Sequence, residues 1–363
     1  MKQFHSKFSS LGAIILFLLI FTYFTGPDPV MGKSKPTTTA EIALYDGPDR
    51  QQILEEGAKK EKAFVWYTSM NKQWSSVVIK MFEKKYPFLK TNLYRASSED
   101  VVQRYVAEVR GGRGGADALS LGSGEFQNLL DEKLLIPYYS PVGKEYPDNF
   151  KDVKNKFWIT NRINAFAAAF NTRMLKESEI PKTYADFLDP KWKNKIAVEA
   201  SDYDWFATLM QVWGEDRGKD YFQKLGGQNL HVRRGHSNLL NLLAAGEFPL
   251  VLTEYAYLTE AFKERGAPVE WYYLAPTVVR LEPTGFPKAS NHPHAAMLFV
   301  DFLIGLEAQN YLGSHGEMAA HPKAKVVPPR LMQIENKVIF DPEVTLPHWN
   351  RYIDLYNQWL LKR

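Results

Sequence analysis

Ala58-Lys59-Lys60-Glu61-Lys62-Ala63-Phe64-Val65-Trp66-Tyr67-Thr68-Ser69 passes from the end of a charged helix, through a short apolar strand, into a small polar loop. A second helix follows at once. Its apolar positions Trp74, Val77, Val78, Met81 and Phe82 recur at helical spacing. The loop Thr68-Ser69-Met70-Asn71 therefore sits at the carboxyl end of a strand and the amino end of a helix. In an open α/β sheet, small ligands bind there.

Outward from this unit the same alternation repeats. Asp49 to Lys62 reads as an amphipathic helix, Lys72 to Tyr86 as a helix that stops before Pro87, Leu89 to Tyr94 as a strand and Glu99 to Arg110 as a helix. Gly111-Gly112-Arg113-Gly114-Gly115 precedes the strand Ala116 to Leu121, so it is no dinucleotide loop, which must follow a strand. Glu125 to Glu132 reads as a helix, Ile163 to Asn171 as a continuous apolar strand, and Ile196 to Glu199, Leu230 to Arg233 and Pro249 to Thr253 as further strands, each followed by a helix. Such alternation argues for α/β architecture with a largely parallel sheet and helices on both faces.

The 363 residues, 45% hydrophobic, suffice for a buried core and suggest two domains. A net charge of +4 is too weak to argue for nucleic acid, and basic residues alternate with acidic ones as on a solvated helix face. The chain has no cysteine, which excludes disulfides, thiolate metal sites, a cysteine nucleophile and a lipid-anchored amino terminus. Lys2, His5 and Lys7 precede the apolar run Leu11 to Phe24, the pattern of an export signal with cleavage after Gly32. An uncleaved membrane anchor is the alternative. Residues 33–40 read as a polar linker.

The opening unit resembles the first βα unit of bacterial extracellular solute-binding proteins, the receptors of ABC importers. Within that group it is similar to the ferric-ion-binding branch. The resemblance continues through Asp186-Phe187-Leu188-Asp189-Pro190-Lys191-Trp192-Lys193-Asn194-Lys195-Ile196-Ala197, through Gly266 to Trp271, and through the late helices Asn291 to Leu303 and Glu307 to Leu312. It implies a two-lobed type II periplasmic-binding fold, each lobe a mixed sheet flanked by helices and joined by crossover strands. Lobe 1 would comprise 41–165 plus 272–326, lobe 2 residues 166–271, and 327–363 a helical tail, with Gly266 to Trp271 as the return crossing. It also implies a monomer in the periplasm that hands its solute to ABC permease subunits and is not an enzyme.

In that arrangement the strand-to-helix turns face the cleft between lobes. Their small and hydroxyl residues leave backbone N–H groups free for an anion, although ordinary helix capping accounts for any one of them. The expected ligand-binding residues are Ser69, Asn71, Ser123, Ser201, His236, Ser237 and Tyr255, with Arg233, Arg234 or Lys72 supplying positive charge to a small anionic solute. Ferric binders of the family use adjacent tyrosines. Here Tyr255 matches one position and Ala256 stands at the next, and no acid stands at Gly122-Ser123. Tyr255 is thus the one metal ligand carried over, and Fe(III) is an alternative transported ligand rather than a cofactor; no cofactor is expected. On a helix, Tyr255 and Tyr257 would point to different faces.

The sequence contains no phosphate-binding P-loop, no G-x-S-x-G and no H-E-x-x-H. His292-Pro293-His294 opens a helix and reads as capping. Glu199 and Asp202 could be a carboxylate pair at a cleft turn, although ordinary surface and cap roles explain them, and His236 has no carboxylate at a telling spacing. A cleft hydrolase and a periplasmic sensor remain as alternatives to the import receptor.

Overall fold

The computed structural model describes residues 36–362. The expected signal segment 1–32 lies outside the described residues, as does the start of the linker. The linker's end is not extended. Thr38 accepts a hydrogen bond from the Glu41 amide while the Glu41 carboxylate accepts from the Thr38 amide, and this reciprocal cap starts α1 (Thr39–Leu44).

Helix α2 (Arg50–Glu61) ends on Lys62 in the left-handed conformation, and β1 (Ala63–Thr68) begins at the next residue. Asn71 caps α3 (Lys72–Lys85), which buries Trp74, Val78 and Phe82. There follow β2 (Lys90–Arg95), α4 (Ser98–Arg110), β3 (Ala118–Ser120), α5 (Ser123–Asp131) and β4 (Leu135–Ile136). Strand β5 (Trp158–Asn171) is longer than its apolar run and carries polar residues in its first half. Then come β6 (Ile196–Glu199), α6 (Tyr203–Trp213), α7 (Glu215–Gly226), β7 (His231–Arg233), α8 (His236–Ala245), β8 (Leu250–Tyr255), α9 (Ala256–Glu264), β9 (Val269–Tyr272) and β10 (Thr277–Pro287). Two helices, α10 (Pro293–Ile304) and α11 (Leu306–Ser314), precede β11 (Lys337–Ile339), α12 (Pro342–Thr345) and α13 (Trp349–Tyr356).

The strands form one path, β2-β1-β3-β10-β5-β8-β6-β7. Its two ends are parallel: β1 with β2 and β3, and β6 with β7 and β8. The middle is antiparallel. β5 pairs with β10 along Trp158–Ala165 and then exchanges partners, pairing with β8 and β9 along Phe166–Asn171. One strand thus belongs to both halves of the sheet. Gly266 to Trp271 is not the returning segment that the sequence suggested. β9 stays paired to the far end of β5, and β10, which follows it, runs back beside β5 and reaches β3.

Apolar packing covers both faces. On one face, Phe299 of α10 sits among Phe64, Trp66 and Phe82, with ring centroids 4.9, 4.8 and 5.2 Å away. On the other face of the same half, α4 and α5 contribute Val101, Tyr105, Phe126 and Leu129, which pack on Tyr67 and Leu119. In the second half, Phe206 of α6 packs on Phe222 of α7 at 4.3 Å. His292 and His294 start α10 as structural clamps. Their Nδ1 atoms lie 2.8 Å from Asp117 and 2.6 Å from Glu61.

The carboxyl-terminal segment is not wholly helical. β11 adds to β10 in parallel, because Val338 and Ile339 extend an apolar strand edge. α13 then packs on α6 through Tyr203, Phe206, Tyr352 and Tyr356. The Tyr356 hydroxyl donates to the Glu199 carbonyl at the end of β6.

Candidate functional site

The strand ends β1, β2, β6, β7 and β8 converge on a polar cleft of about 600 Å³. Ser69, Asn71, Ser201, His236, Ser237 and Tyr255 all line it, together with Arg95, Glu125, Arg162, Asn164, Arg280 and Glu282. A larger groove of about 980 Å³ beside α5 and β11 is lined by exposed Asp148, Lys154 and Asp341. It gathers no buried polar cluster, so the strand-end cleft is the candidate site.

Each expected residue has a definite place. The Ser69 hydroxyl lies 3.4 Å from both Glu282 and Arg162. The Asn71 side chain accepts from the Gln73 amide at 3.0 Å, so its carbonyl oxygen is spent on capping α3. Asn71→Ala is expected to cost about 1 kcal/mol, and Asn71→Gly only a few tenths, by urea unfolding. Ser201 donates to Glu199 at 2.8 Å. Ser237 is exposed in the first turn of α8.

Ser123 does not reach the cleft. As the first residue of α5 it is buried beside Phe126, Leu130 and Trp158. Glu125, two residues later, turns into the cleft instead. An acid is therefore present in this loop after all, displaced into the helix. Gly122 makes room for it: a Cβ there would lie 2.1 Å from Nη2 of Arg280, the guanidinium facing Glu125. Lys72 is exposed on α3 and does not line the cleft. Arg233 pairs with Glu247, leaving Arg234 to line the rim.

The sequence missed the charged floor. Arg162 lies 3.1 Å from Glu282 and 3.6 Å from Glu317. Arg280 lies 3.1 Å from both Glu282 and Asp204, and 3.8 Å from Glu125. Asn164 donates to Glu282 at 2.8 Å. The signal was available: Arg162 and Asn164 interrupt one apolar strand, Arg280 and Glu282 another. A buried polar side chain in such a run must have a partner. Burial pushes the Glu125 carboxyl up to about 7 against the pull of Arg280. It does the same to Glu317 against Arg162.

Three further readings are corrected. Glu199 and Asp202 are not surface residues; each is 3% exposed. His236 has two carboxylate partners, Asp202 at 3.2 Å from Nε2 and Glu254 at 3.1 Å from Nδ1. Asp202 lies in the loop after β6 and Glu254 in β8, which is why no local spacing revealed them. Burial alone would lower the His236 pKa, but the two carboxylates raise it well above the ordinary value, and the ring is an imidazolium at neutral pH. Burial pushes Asp202 up to about 7, with His236 opposing.

Finally, Tyr255 ends β8 rather than lying within the helix, so helical alternation does not separate it from Tyr257. The two rings lie 6.0 Å apart at 19°, and both line the cleft. Burial raises both hydroxyls above the ordinary tyrosine value.

Among the described residues, the buried side-chain atoms of this region without a hydrogen-bond partner are mostly acceptors, Asp202 Oδ2, Glu254 Oε2, Glu125 Oε2, Glu317 Oε1 and Asn164 Oδ1, the exception being His236 Nδ1. The region's unmet demand is for hydrogen-bond donors.

A family model of bacterial extracellular solute-binding proteins matches residues 119–337. The chain is 26% identical over 282 residues to an uncharacterized protein of Haemophilus influenzae, covering 72% of this chain and 78% of that one. It is 20% identical over 291 residues to the Fe(3+)-binding periplasmic protein of Serratia marcescens, covering 77% and 85%. Its fold superposes on the periplasmic binding protein AfuA of Actinobacillus pleuropneumoniae, solved with fructose-6-phosphate bound, with TM-score 0.72 and 25% identity over 83% of this chain and 99% of that one. The strand order and the polar cleft at the strand ends are thus those of the type II periplasmic-binding fold, and the chain belongs to the bacterial extracellular solute-binding proteins.

Proposed function

We propose that this protein is the periplasmic receptor of an ABC importer and that its solute is a small phosphorylated polyol, such as a sugar phosphate. The observation that carries the ligand class is the set of unpartnered acceptors. Asp202, Glu125 and Asn164 line the cleft and offer buried oxygens that hydroxyl groups would satisfy. The anionic end has its own recognition elements. Arg95 and Arg234 line the rim, His236 carries positive charge, and α8 starts on Gly235 with no side-chain cap. An uncapped helix start facing a cleft favours an anion. The fructose-6-phosphate bound in the AfuA relative fits the same two-ended chemistry.

In this reading the sheet halves are the two lobes, 41–165 with 272–326 and 166–271. They close about β5 and β10 on the solute, as a monomer, without turnover, and deliver it to membrane permease subunits. Residues 1–32 would direct export.

Thermal melting of the protein tests the ligand class. Fructose 6-phosphate at about 100 times its Kd adds about 2.7 kcal/mol of stability, whereas fructose and inorganic phosphate each shift the midpoint far less. One observation favours a second reading: Tyr255 and Tyr257 both line the cleft with their rings 6.0 Å apart, and the Serratia relative is named for Fe(3+). A shift with Fe(III)-citrate and none with sugar phosphates, together with a visible tyrosinate band lost in Tyr255→Phe, would replace the first reading by the second.

A further inference from the structure

Glu199 is 3% exposed and forms no ion pair among the described residues. Its carboxylate is nevertheless fully engaged. Oε2 accepts from the Ser201 amide at 2.5 Å and the Ser201 hydroxyl at 2.8 Å, and Oε1 accepts from the Gly235 amide at 2.8 Å. Its own amide donates to the Thr253 hydroxyl at 3.0 Å, and its carbonyl accepts from Tyr356. One side chain therefore ties the loop after β6, which carries Asp202, to Gly235, the residue that caps α8 just before His236. Thr253 ties the same residue to β8, which carries Glu254. Gly235 has φ 87°, a conformation that glycine adopts without strain, and this aims its N–H at the carboxylate.

We propose that Glu199, although it lines the cleft, is a positioning residue that fixes the Asp202–His236–Glu254 cluster for solute capture, its carboxylate oxygens being taken up by the two loops rather than by the solute. Two backbone N–H groups and one hydroxyl converge on two oxygens, and charge-assisted bonds of this kind are the strong ones. Glutamine in place of glutamate would aim an NH2 group at one of the backbone N–H groups, donor against donor. One loop would then be released, and with it the 3.2 Å contact between His236 and Asp202. Glu199, Asp202 and His236 also lie close enough to share a divalent cation. Occupied as they are by three donors, the Glu199 oxygens make the poorest ligands of that set.

The test follows the His236 ring proton by NMR across pH, in the wild type, Glu199→Gln and Tyr356→Phe, alongside fructose 6-phosphate titrations. The groups facing the ring are Asp202, Glu254, the Tyr255 ring, 4.0 Å away, and the Glu199 carboxylate itself, within 4.8 Å of a ring nitrogen; because Glu199→Gln removes that charge as well as a hydrogen bond, Glu199→Asp, which keeps the charge, is measured beside it. Glu199→Gln is expected to lower the His236 midpoint by about one pH unit, the size of an ordinary coupling between contacting groups, and to weaken fructose 6-phosphate binding about tenfold. Tyr356→Phe, which removes the bond to the Glu199 carbonyl and leaves the carboxylate alone, should leave the midpoint in place. An unchanged midpoint in folded Glu199→Gln, or an equal shift in Tyr356→Phe, overturns the proposal. So does a Zn(II)-induced rise in melting temperature that Glu199→Gln abolishes, since Glu199 would then be a ligand. Glu199→Asp, one methylene shorter and able to reach only one loop, keeps the charge and should lower the midpoint in the same direction; a midpoint that moves in Glu199→Gln but stays in folded Glu199→Asp overturns the proposal, since the shift would then be the lost charge alone. The binding arm rests on the sugar-phosphate reading, but the ring titration needs no solute. A shifted midpoint in a protein that binds none of the probes would leave the positioning role standing and the ligand reading overturned.

Discussion

His236→Ala is expected to cost about 3–5 kcal/mol of folding stability at pH 8, the range for removing one member of a buried charge cluster, and to lose fructose 6-phosphate binding. The stability loss arises from what remains. Asp202 and Glu254, 3% and 0% exposed, would keep their negative charges in a site where His236 supplies the balancing one. The carboxylates answer by taking up protons, which gives the effect a pH signature. Burial already raises Asp202 to about 7 with the imidazolium present, and without it the value rises further. An acid whose folded-state pKa exceeds its unfolded value of about 4 favours the fold below pH 4 and penalises it progressively as pH rises through the folded value. The variant should therefore recover much of its loss between pH 8 and pH 5. Urea unfolding at those two pH values checks this. Equal losses at both would mean that the ring is held by packing and not by charge.

Arg162→Met is expected to destabilise the protein by about 3–5 kcal/mol at pH 8 for the same class of reason. The Arg162 side chain is 4% exposed, and Glu282 and Glu317, its partners, are each 1% exposed. Glu282 would retain Arg280 and Asn164. Glu317 would lose the one charged partner it has within ion-pair distance among the described residues, so the cost falls mainly there. Adding Glu317→Gln to Arg162→Met should then return a substantial part of the loss, a coupling that a double-mutant cycle reads directly. A single-variant cost below about 1 kcal/mol, the usual worth of an exposed pair, would show that water reaches this floor.

Most of the architecture was legible because it rests on local signals. Asn71 before Trp74, Val78 and Phe82 marks a capped helix, and Ala63 to Thr68 marks the strand before it. The loops lining the cleft follow from those boundaries, which is why Ser69, Asn71, Ser201, His236, Ser237 and Tyr255 were nameable. The chemistry of the cleft was less legible because its partners are remote in sequence. His236 meets Asp202 and Glu254 only once β6, β7 and β8 lie side by side, and Arg280 meets Asp204 only across the end of the sheet. Ser123 misled for a smaller reason. Its hydroxyl looked like a cap, but the backbone of Gly122 takes the cap position and turns Ser123 inward. β10 was overlooked because Pro283 and the polar residues Arg280 and Glu282 disguise a strand whose interior is almost wholly buried.

The seating of α13 makes the two ends of the described chain unequal for anyone redesigning the protein. At the amino end, α1 is a six-residue helix with Ile42 and Ala43 alone buried, so trimming or fusion there removes little. At the other end, Tyr352 and Tyr356 complete an aromatic cluster with Tyr203 and Phe206 directly behind the loop that carries Asp202. A reporter domain spliced after residue 362 should therefore couple to the binding loop more strongly than one spliced before residue 39. A fusion biosensor built on this scaffold should draw its signal from the carboxyl-terminal junction.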